Sequence, residues 1–284
     1  MKPRCWRLGL LGYPLSHSRS PELHHAALAA AGLEGEYRLF SYPPTPEGMV
    51  AIAERLDALR RGELHGLNVT IPHKQNVIPL LDRLTEVASS VGAVNTLYVD
   101  SQGALTGDNT DVPGFLHDVR GLSSKEPGQV LVLGAGGSAR AVVYGLARSG
   151  WRVRVLARRV DQATMLIESL RLNDRLAEQV EAGAWTLDAL AGTRCDLVVN
   201  TSPLGMYPEV QGCPWPEDLP LPDSAAVYDL VYNPLETVLV SRARAAHHAT
   251  RNGSGMLVAQ AALAFHLWTG LEPPFEVMQS VFHS

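Results

Sequence analysis

The stretch QVLVLGAGGSARAVVYGLARSG, starting at Gln129, runs an unbroken series of Val and Leu into a glycine turn and then into an alanine-rich series. That order predicts a buried strand, a tight turn and a helix. Gly134, Gly136 and Ala139 fall in a G-x-G-x-x-[GA] spacing. The first glycine permits the turn, the second lets the backbone approach a pyrophosphate, and the small Ala139 lets helix and strand pack closely. The N–H groups and positive dipole end of the helix N-terminus favour an anion. The whole turn, Gly134, Ala135, Gly136, Gly137, Ser138 and Ala139, is therefore the candidate dinucleotide site; the plainer reading is a glycine-bearing helix start.

The end of the next strand selects the dinucleotide. A carboxylate there would accept from the ribose 2′-hydroxyl of NAD, whereas a cation suits the 2′-phosphate of NADP. The strand WRVRVLA ends in Arg158 and Arg159. Guanidinium groups bind phosphate through paired hydrogen bonds, so NADP is the expected cofactor. Asp161 nearby leaves room for some use of NAD.

The rest of the chain repeats the same grammar. Residues 7 to 13, 37 to 42 and 64 to 71 look like strands, with helical patterns over 21 to 33 and 45 to 62 between them. Alternation of this kind favours parallel strands covered by helices. After the glycine turn, CDLVVNTSP and AAVYDLVY add strands, a helical run covers about 161 to 180, and the apolar MLVAQAALAFHLWTG forms a packed helix over 256 to 270. Residues 101 to 114, SQGALTGDNTDVPG, read as a turn-rich boundary, and the proline-rich 208 to 224 as a surface loop. At 284 residues the chain exceeds the usual span of one core. The expected fold class is α/β with two α/β domains: a Rossmann-type doubly wound cofactor domain over 111 to 252, and a discontinuous substrate domain from 1 to 110 plus 253 to 284, with a cleft between.

Composition excludes several functions. A formal charge of −5 supplies no basic field for nucleic acid. Three cysteines, Cys5, Cys195 and Cys213, are too few and scattered for a disulfide framework. The LGLLG run near the N-terminus is too brief for a signal peptide, and no apolar run reaches membrane-spanning length. A cytoplasmic protein is expected.

Four motifs gather polar residues where the first strands end: GYPLSHSRSPELHH, NVTIPHK, GAVNTL and GDNTD. They offer Ser16, Ser18, Ser20, Thr70, Lys74, Asn95, Asn109 and Asp111, groups suited to a small polyhydroxylated ligand. Gln260 is a polar side chain in an otherwise apolar helix, and a core amide needs partners. Bland readings stand beside these: Lys74 as a surface lysine, Asp111 as the cap of a helix opening at Val112-Pro113, and Ser20 as the N-cap ahead of Pro21. His17, His24, His25 and His73 show no metal-ligand spacing, so structural roles are expected and no metal.

Together HSRSP, NVTIPHK, GAVNTL, GDNTD, LGAGGSAR, NTSPLGM, DLVYNPLET and NGSGMLVAQAALAF resemble, in order and over nearly the whole chain, the shikimate dehydrogenase family of aromatic amino-acid and chorismate biosynthesis. The resemblance implies a two-domain enzyme that reduces 3-dehydroshikimate to shikimate with NADPH. It assigns Lys74 and Asp111 as the catalytic pair, Ser18 and Ser20 to the substrate carboxylate, and Thr70, Asn95, Asp111 and Gln260 to its hydroxyls, with Tyr232 nearby. Gly253 would approach the nicotinamide, where a side chain would obstruct; an ordinary turn glycine is the alternative. The chain departs from the family's Asn-Arg-Thr after the second cofactor strand, reading Ala157-Arg158-Arg159. A quinate or dual quinate/shikimate dehydrogenase, or a nucleotide-sensing regulator without turnover, are the competing readings. A monomer or homodimer is expected.

Overall fold

A computed structural model of the chain describes residues 5–170, 172 and 174–282. The chain divides into two compact units, Met1–Gly114 with Val258–Ser284, and Phe115–Leu257. Both are α/β units built on six-stranded sheets.

The first unit alternates β1 (Trp6–Gly12), α1 (Ser20–Ala30), β2 (Gly35–Ser41), α2 (Pro46–Arg60) and β3 (Gly66–Val69). Local chemistry sets these bounds. The Thr45 hydroxyl accepts from Gly48 N at 3.2 Å and Pro46 opens α2, while Gly62, at φ +70°, stops it where the sequence predicts. β4 (Arg83–Leu84), α3 (Glu86–Val91), β5 (Thr96–Val99) and β6 (Leu105–Asp108) follow. The sheet order is β2-β1-β3-β5-β6-β4, with β5 antiparallel to both β3 and β6. The turn-rich 101–114 ends where the two units divide, at Gly114, but it is more regular than its composition suggests, holding β6 and the start of α4 (Asp111–Val119). Pairing with β5 and full burial of Leu105 outweigh its turn-like composition.

One face of this sheet buries Leu11, Leu67, Val69 and Leu97 against Ile52, Leu56 and Leu59 of α2. Each fully buried aliphatic side chain of this kind contributes about 1.5–3 kcal/mol. Near its end, α10 (Ser254–Thr269) lays Trp268 over Gly66, where a Cβ would overlap the indole, and the ring donates to Leu97 O at 3.1 Å. After α10 comes α11 (Phe275–Ser280).

The second unit contains β7 (Gln129–Leu133), α5 (Gly137–Arg148), β8 (Arg152–Ala157), α6 (Val160–Ser169), α7 (Asp174–Ala177), β9 (Val180–Ala184), α8 (Leu187–Ala191), β10 (Leu197–Asn200), β11 (Ala226–Asp229), α9 (Val238–Ala245) and β12 (Thr250–Asn252). All its strands are parallel, in the order β12-β11-β10-β7-β8-β9. This is the doubly wound order, with the strand sequence reversing between β7 and β10. The single helix expected over 161–180 is instead two helices: Leu170 is buried in an extended conformation after α6, and residues 171 and 173 lie outside the described set. Among the described residues no helix is long and apolar enough to cross a membrane, and no group of three or more His, Cys, Asp or Glu could hold a metal ion.

Candidate active site

Strand direction gathers the polar motifs of the first unit. Since β3 runs with β1, and β5 reverses before β6 reverses again, the carboxyl ends of β1, β3 and β6 share an edge with the amino end of β5. Ser18 and Ser20 follow β1, Thr70 and Lys74 follow β3, Asn95 precedes β5, and Asp111 follows β6.

Lys74 Nζ lies 2.5 Å from Asp111 Oδ2, and the two residues are 9% and 6% exposed. The surface-lysine reading is thereby ruled out. Two charges withdrawn from water need their remaining lone pairs satisfied. Asn95 does this: its Nδ2 donates to Asp111 Oδ1 at 2.8 Å and to Thr110 Oγ1 at 3.0 Å. Gln260 Oε1 lies 3.4 Å from the same nitrogen. The backbone N–H of Thr110 donates to Asn95 Oδ1 at 2.7 Å, which turns the amide nitrogen toward Asp111. Lys74, Asn95, Asp111 and Gln260 therefore form one buried cluster.

Two capping expectations are corrected. Asn109, not Asp111, caps α4: its Oδ1 accepts from Val112 N at 3.2 Å, which leaves the Asp111 carboxylate for Lys74 and Asn95. The N-cap of α1 is Arg19, without a side-chain bond, and Ser20 is the first helical residue. Ser18 Oγ accepts from Ser20 N at 3.3 Å. Thr70 packs its methyl group where a Gly12 side chain would begin, joining the ends of β1 and β3.

Three histidines of these motifs, His24, His25 and His73, serve the scaffold. His73 donates from Nε2 to Tyr42 O at 2.7 Å, and His25 Nε2 accepts from Tyr37 N at 3.0 Å. His24 is fully buried, stacked on Tyr37 at 4.4 Å. Burial drives its pKa down to about 3, against a small upward pull from Asn68.

In the second unit the glycine turn sits at the carboxyl end of β7, beside the strand-order reversal where open α/β sheets bind ligands. Gly134 takes φ +107°, and a side chain there would press on Thr201 Oγ1 at 3.0 Å. Gly136 and Gly137 differ: a Cβ on either would meet no heavy atom within 4 Å. Gly136 caps the twelve-residue α5 without a side-chain bond. Ala135 and Ser138 line the same turn, and Ala139 is fully buried against the sheet. Arg158 and Arg159 follow β8, both exposed, and among the described residues neither has an ion-pair partner. An open backbone cradle at a helix N-terminus, with two unpaired guanidinium groups one strand away, fits the pyrophosphate and 2′-phosphate of NADP.

Tyr232 and Gly253 also lie in this unit. Tyr232 is half-buried past β11. At Gly253 the carbonyl oxygen of Leu230 occupies the position a Cβ would take, so packing alone requires glycine there.

Several residues escape a reading of the sequence. Asn200 and Asp229 each close an apolar strand, LVVN and AVYD, and are fully buried. Asn200 Nδ2 donates to Asp229 Oδ1 at 2.8 Å, and Thr237 Oγ1 to Asp229 Oδ2 at 2.6 Å. Burial raises the pKa of Asp229, and the Thr237, Val231 and Asn200 donors pull it back. Asn200 Oδ1 also accepts from Ser202 N and Oγ, shaping the loop beside the glycine turn. A polar residue ending an otherwise apolar strand is the available signal.

Residues 10–97 match the family model described as the shikimate dehydrogenase substrate binding domain, and residues 253–281 match the shikimate 5'-dehydrogenase C-terminal domain. The chain is 43% identical over 270 residues to a shikimate dehydrogenase (NADP(+)) of Salinibacter ruber, covering 92% of this chain and 90% of that protein. It is similar to the crystal structure of shikimate 5-dehydrogenase from Thermus thermophilus in complex with NADP(H) and shikimate, with TM-score 0.82, 36% identity and 98% coverage of each chain. It is also similar to the quinate dehydrogenase of Corynebacterium glutamicum in complex with NAD, with TM-score 0.87 and 36% identity, covering 98% of this chain and 99% of that one.

Proposed function

The chain belongs to the shikimate dehydrogenase family, and from that premise we propose that it interconverts 3-dehydroshikimate and shikimate with NADP, a step toward chorismate and the aromatic amino acids. The observation that carries this reading is the buried Lys74–Asp111 pair with Asn95 bound to its second carboxylate oxygen.

When the C3 carbonyl is reduced, its oxygen becomes an alkoxide that must gain a proton. The Lys74 ammonium stabilises the growing charge and gives up that proton. Asp111 aims the lysine through the Nζ–Oδ2 contact, and Asn95 holds the carboxylate in place by donating to its other oxygen. In the oxidising direction Lys74 takes up the proton that the hydroxyl gives up, and because the oxidation releases a proton overall its equilibrium moves toward the ketone as pH rises. Ser18 and Ser20 are assigned to the substrate carboxylate, Thr70, Asn95 and Gln260 to its hydroxyls, and Tyr232 to its vicinity. The turn from Gly134 to Ala139 would hold the pyrophosphate and Arg158 and Arg159 the 2′-phosphate; Gly253 is assigned to the nicotinamide end. NADPH bound there supplies the hydride.

Similarity to a quinate dehydrogenase in complex with NAD favours a second reading in which quinate is also a substrate, and Ala157-Arg158-Arg159 in place of Asn-Arg-Thr leaves room for NAD beside NADP. An added hydroxyl is weakly rejected by a roomy pocket. Initial rates with shikimate and quinate, each with NADP and NAD, decide. Shikimate with NADP should give the highest kcat/KM. Preference for quinate with NAD overturns the first reading, and no turnover with any pair points to a regulator.

A further inference from the structure

We infer that Tyr37 is a positioning residue of the site, holding the Asn95 amide against Asp111 through Asn68. The inference rests on the function proposed above and concerns two residues, Tyr37 and Asn68, to which the family resemblance assigns no role.

The connection is continuous. Tyr37 OH donates to Asn68 Oδ1 at 2.8 Å. Asn68, on β3, donates its Nδ2 to Asn95 O at 3.1 Å and to Thr96 Oγ1 at 3.2 Å. Thr96 Oγ1 donates onward to Asn95 Oδ1 at 3.1 Å, and Asn95 Nδ2 reaches Asp111. Every residue along this path is buried. A side-chain carbonyl deprived of its donor in such a place has no bulk water to turn to, so its surroundings must shift to compensate.

Two features mark the hydroxyl as a fixed donor. Burial pushes the Tyr37 pKa far up, with Ser20 pulling the other way, so the phenol keeps its proton at every working pH. The ring is also clamped: it stacks on His24 with planes 7° apart, and His24 lies 5.2 Å from Trp268. A tyrosine present only to fill space would be replaced by phenylalanine without consequence. One present to hold Asn68 would not, because Asn68 bonds the Asn95 backbone and, through Thr96, the Asn95 side chain.

Tyr37→Phe in the full chain is the test. Wild-type turnover of shikimate with NADP checks the parent reading; the variant's kcat should then fall about tenfold, with KM for NADP within about twofold. In an Asn95→Ala background the same substitution should cost less than about twofold, since both act through one amide. In 15N-labelled protein, solvent exchange of the Asn95 side-chain NH2 should accelerate at least roughly tenfold, a readout that holds whether or not shikimate is the substrate. If Tyr37→Phe does not fold, the isosteric Thr96→Val breaks the next link and should show the same changes. Wild-type kcat with wild-type exchange, or an equal loss in both backgrounds, would overturn the inference even if the thermal midpoint dropped.

Discussion

Arg158→Ala separates a phosphate-binding arginine from a solvated one. Arg158 is exposed beyond β8 and, among the described residues, has no ion-pair partner, so its removal should change stability by no more than about 0.5 kcal/mol. A hydrogen bond to a charged group contributes about 1.5–3 kcal/mol net, which corresponds to roughly a 10- to 150-fold weaker Kd. Arg159 remains beside it, so the lower half of that range is expected. Calorimetric titration of wild type and variant with NADP and NAD provides the measurement, with KM values at saturating shikimate as a second reading. NADP should weaken at least about tenfold and NAD less than about twofold. Equal weakening of both cofactors would refute the reasoning, because the arginine would then be acting on a part of the cofactor that both share.

Gly136→Val tests the cradle: no heavy atom lies within 4 Å of the new Cβ, so stability should change by less than about 1 kcal/mol while NADP affinity falls at least about tenfold. His24 makes the first unit acid-sensitive. With its pKa lowered to about 3 in the fold and near 6.5 once unfolded, its contribution is intact above pH 6.5 and declines toward pH 3 at up to about 1.4 kcal/mol per pH unit. Urea unfolding at pH 7 and pH 5 should thus differ by about 2 kcal/mol more in wild type than in His24→Phe. Asp229 acts with the opposite sign: its raised pKa means that stability falls as pH climbs from the ordinary carboxylate range, so the advantage of wild type over Asp229→Asn should shrink above about pH 4, as thermal midpoints across a pH series would reveal.

The parts of this molecule legible in the sequence are those decided locally. The glycine turn, the proline at the start of α2 and Gly62 at its end each carry their geometry in one or two residues. Lys74 and Asp111 can be nominated from their motifs, but they are 37 residues apart, and only strand direction brings β3 and β6 to the same edge. β6 reads as a turn because Gly, Asp, Asn and Thr favour turns in isolation, while Leu105 and Thr106 gain more by pairing with β5. The capping roles of Asn109 and Asp111 are exchanged for a similar reason. Both residues can cap, and what separates them is Lys74, a neighbour no local pattern contains. Asn68, Thr96 and Tyr37 stay hidden because buried polar residues look like strand residues until their partners are known.

The most direct test compares wild type with Lys74→Ala for NADP-linked oxidation of shikimate, after circular dichroism has verified that the variant folds with Asp111 left to Asn95 alone. Wild type should turn over readily, and the variant kcat should be lower by about 10²- to 10⁴-fold with KM for shikimate within about fivefold. A folded Lys74→Ala protein that turns over shikimate within about tenfold of wild type would contradict this role for Lys74, since no proton donor at that position would then be needed.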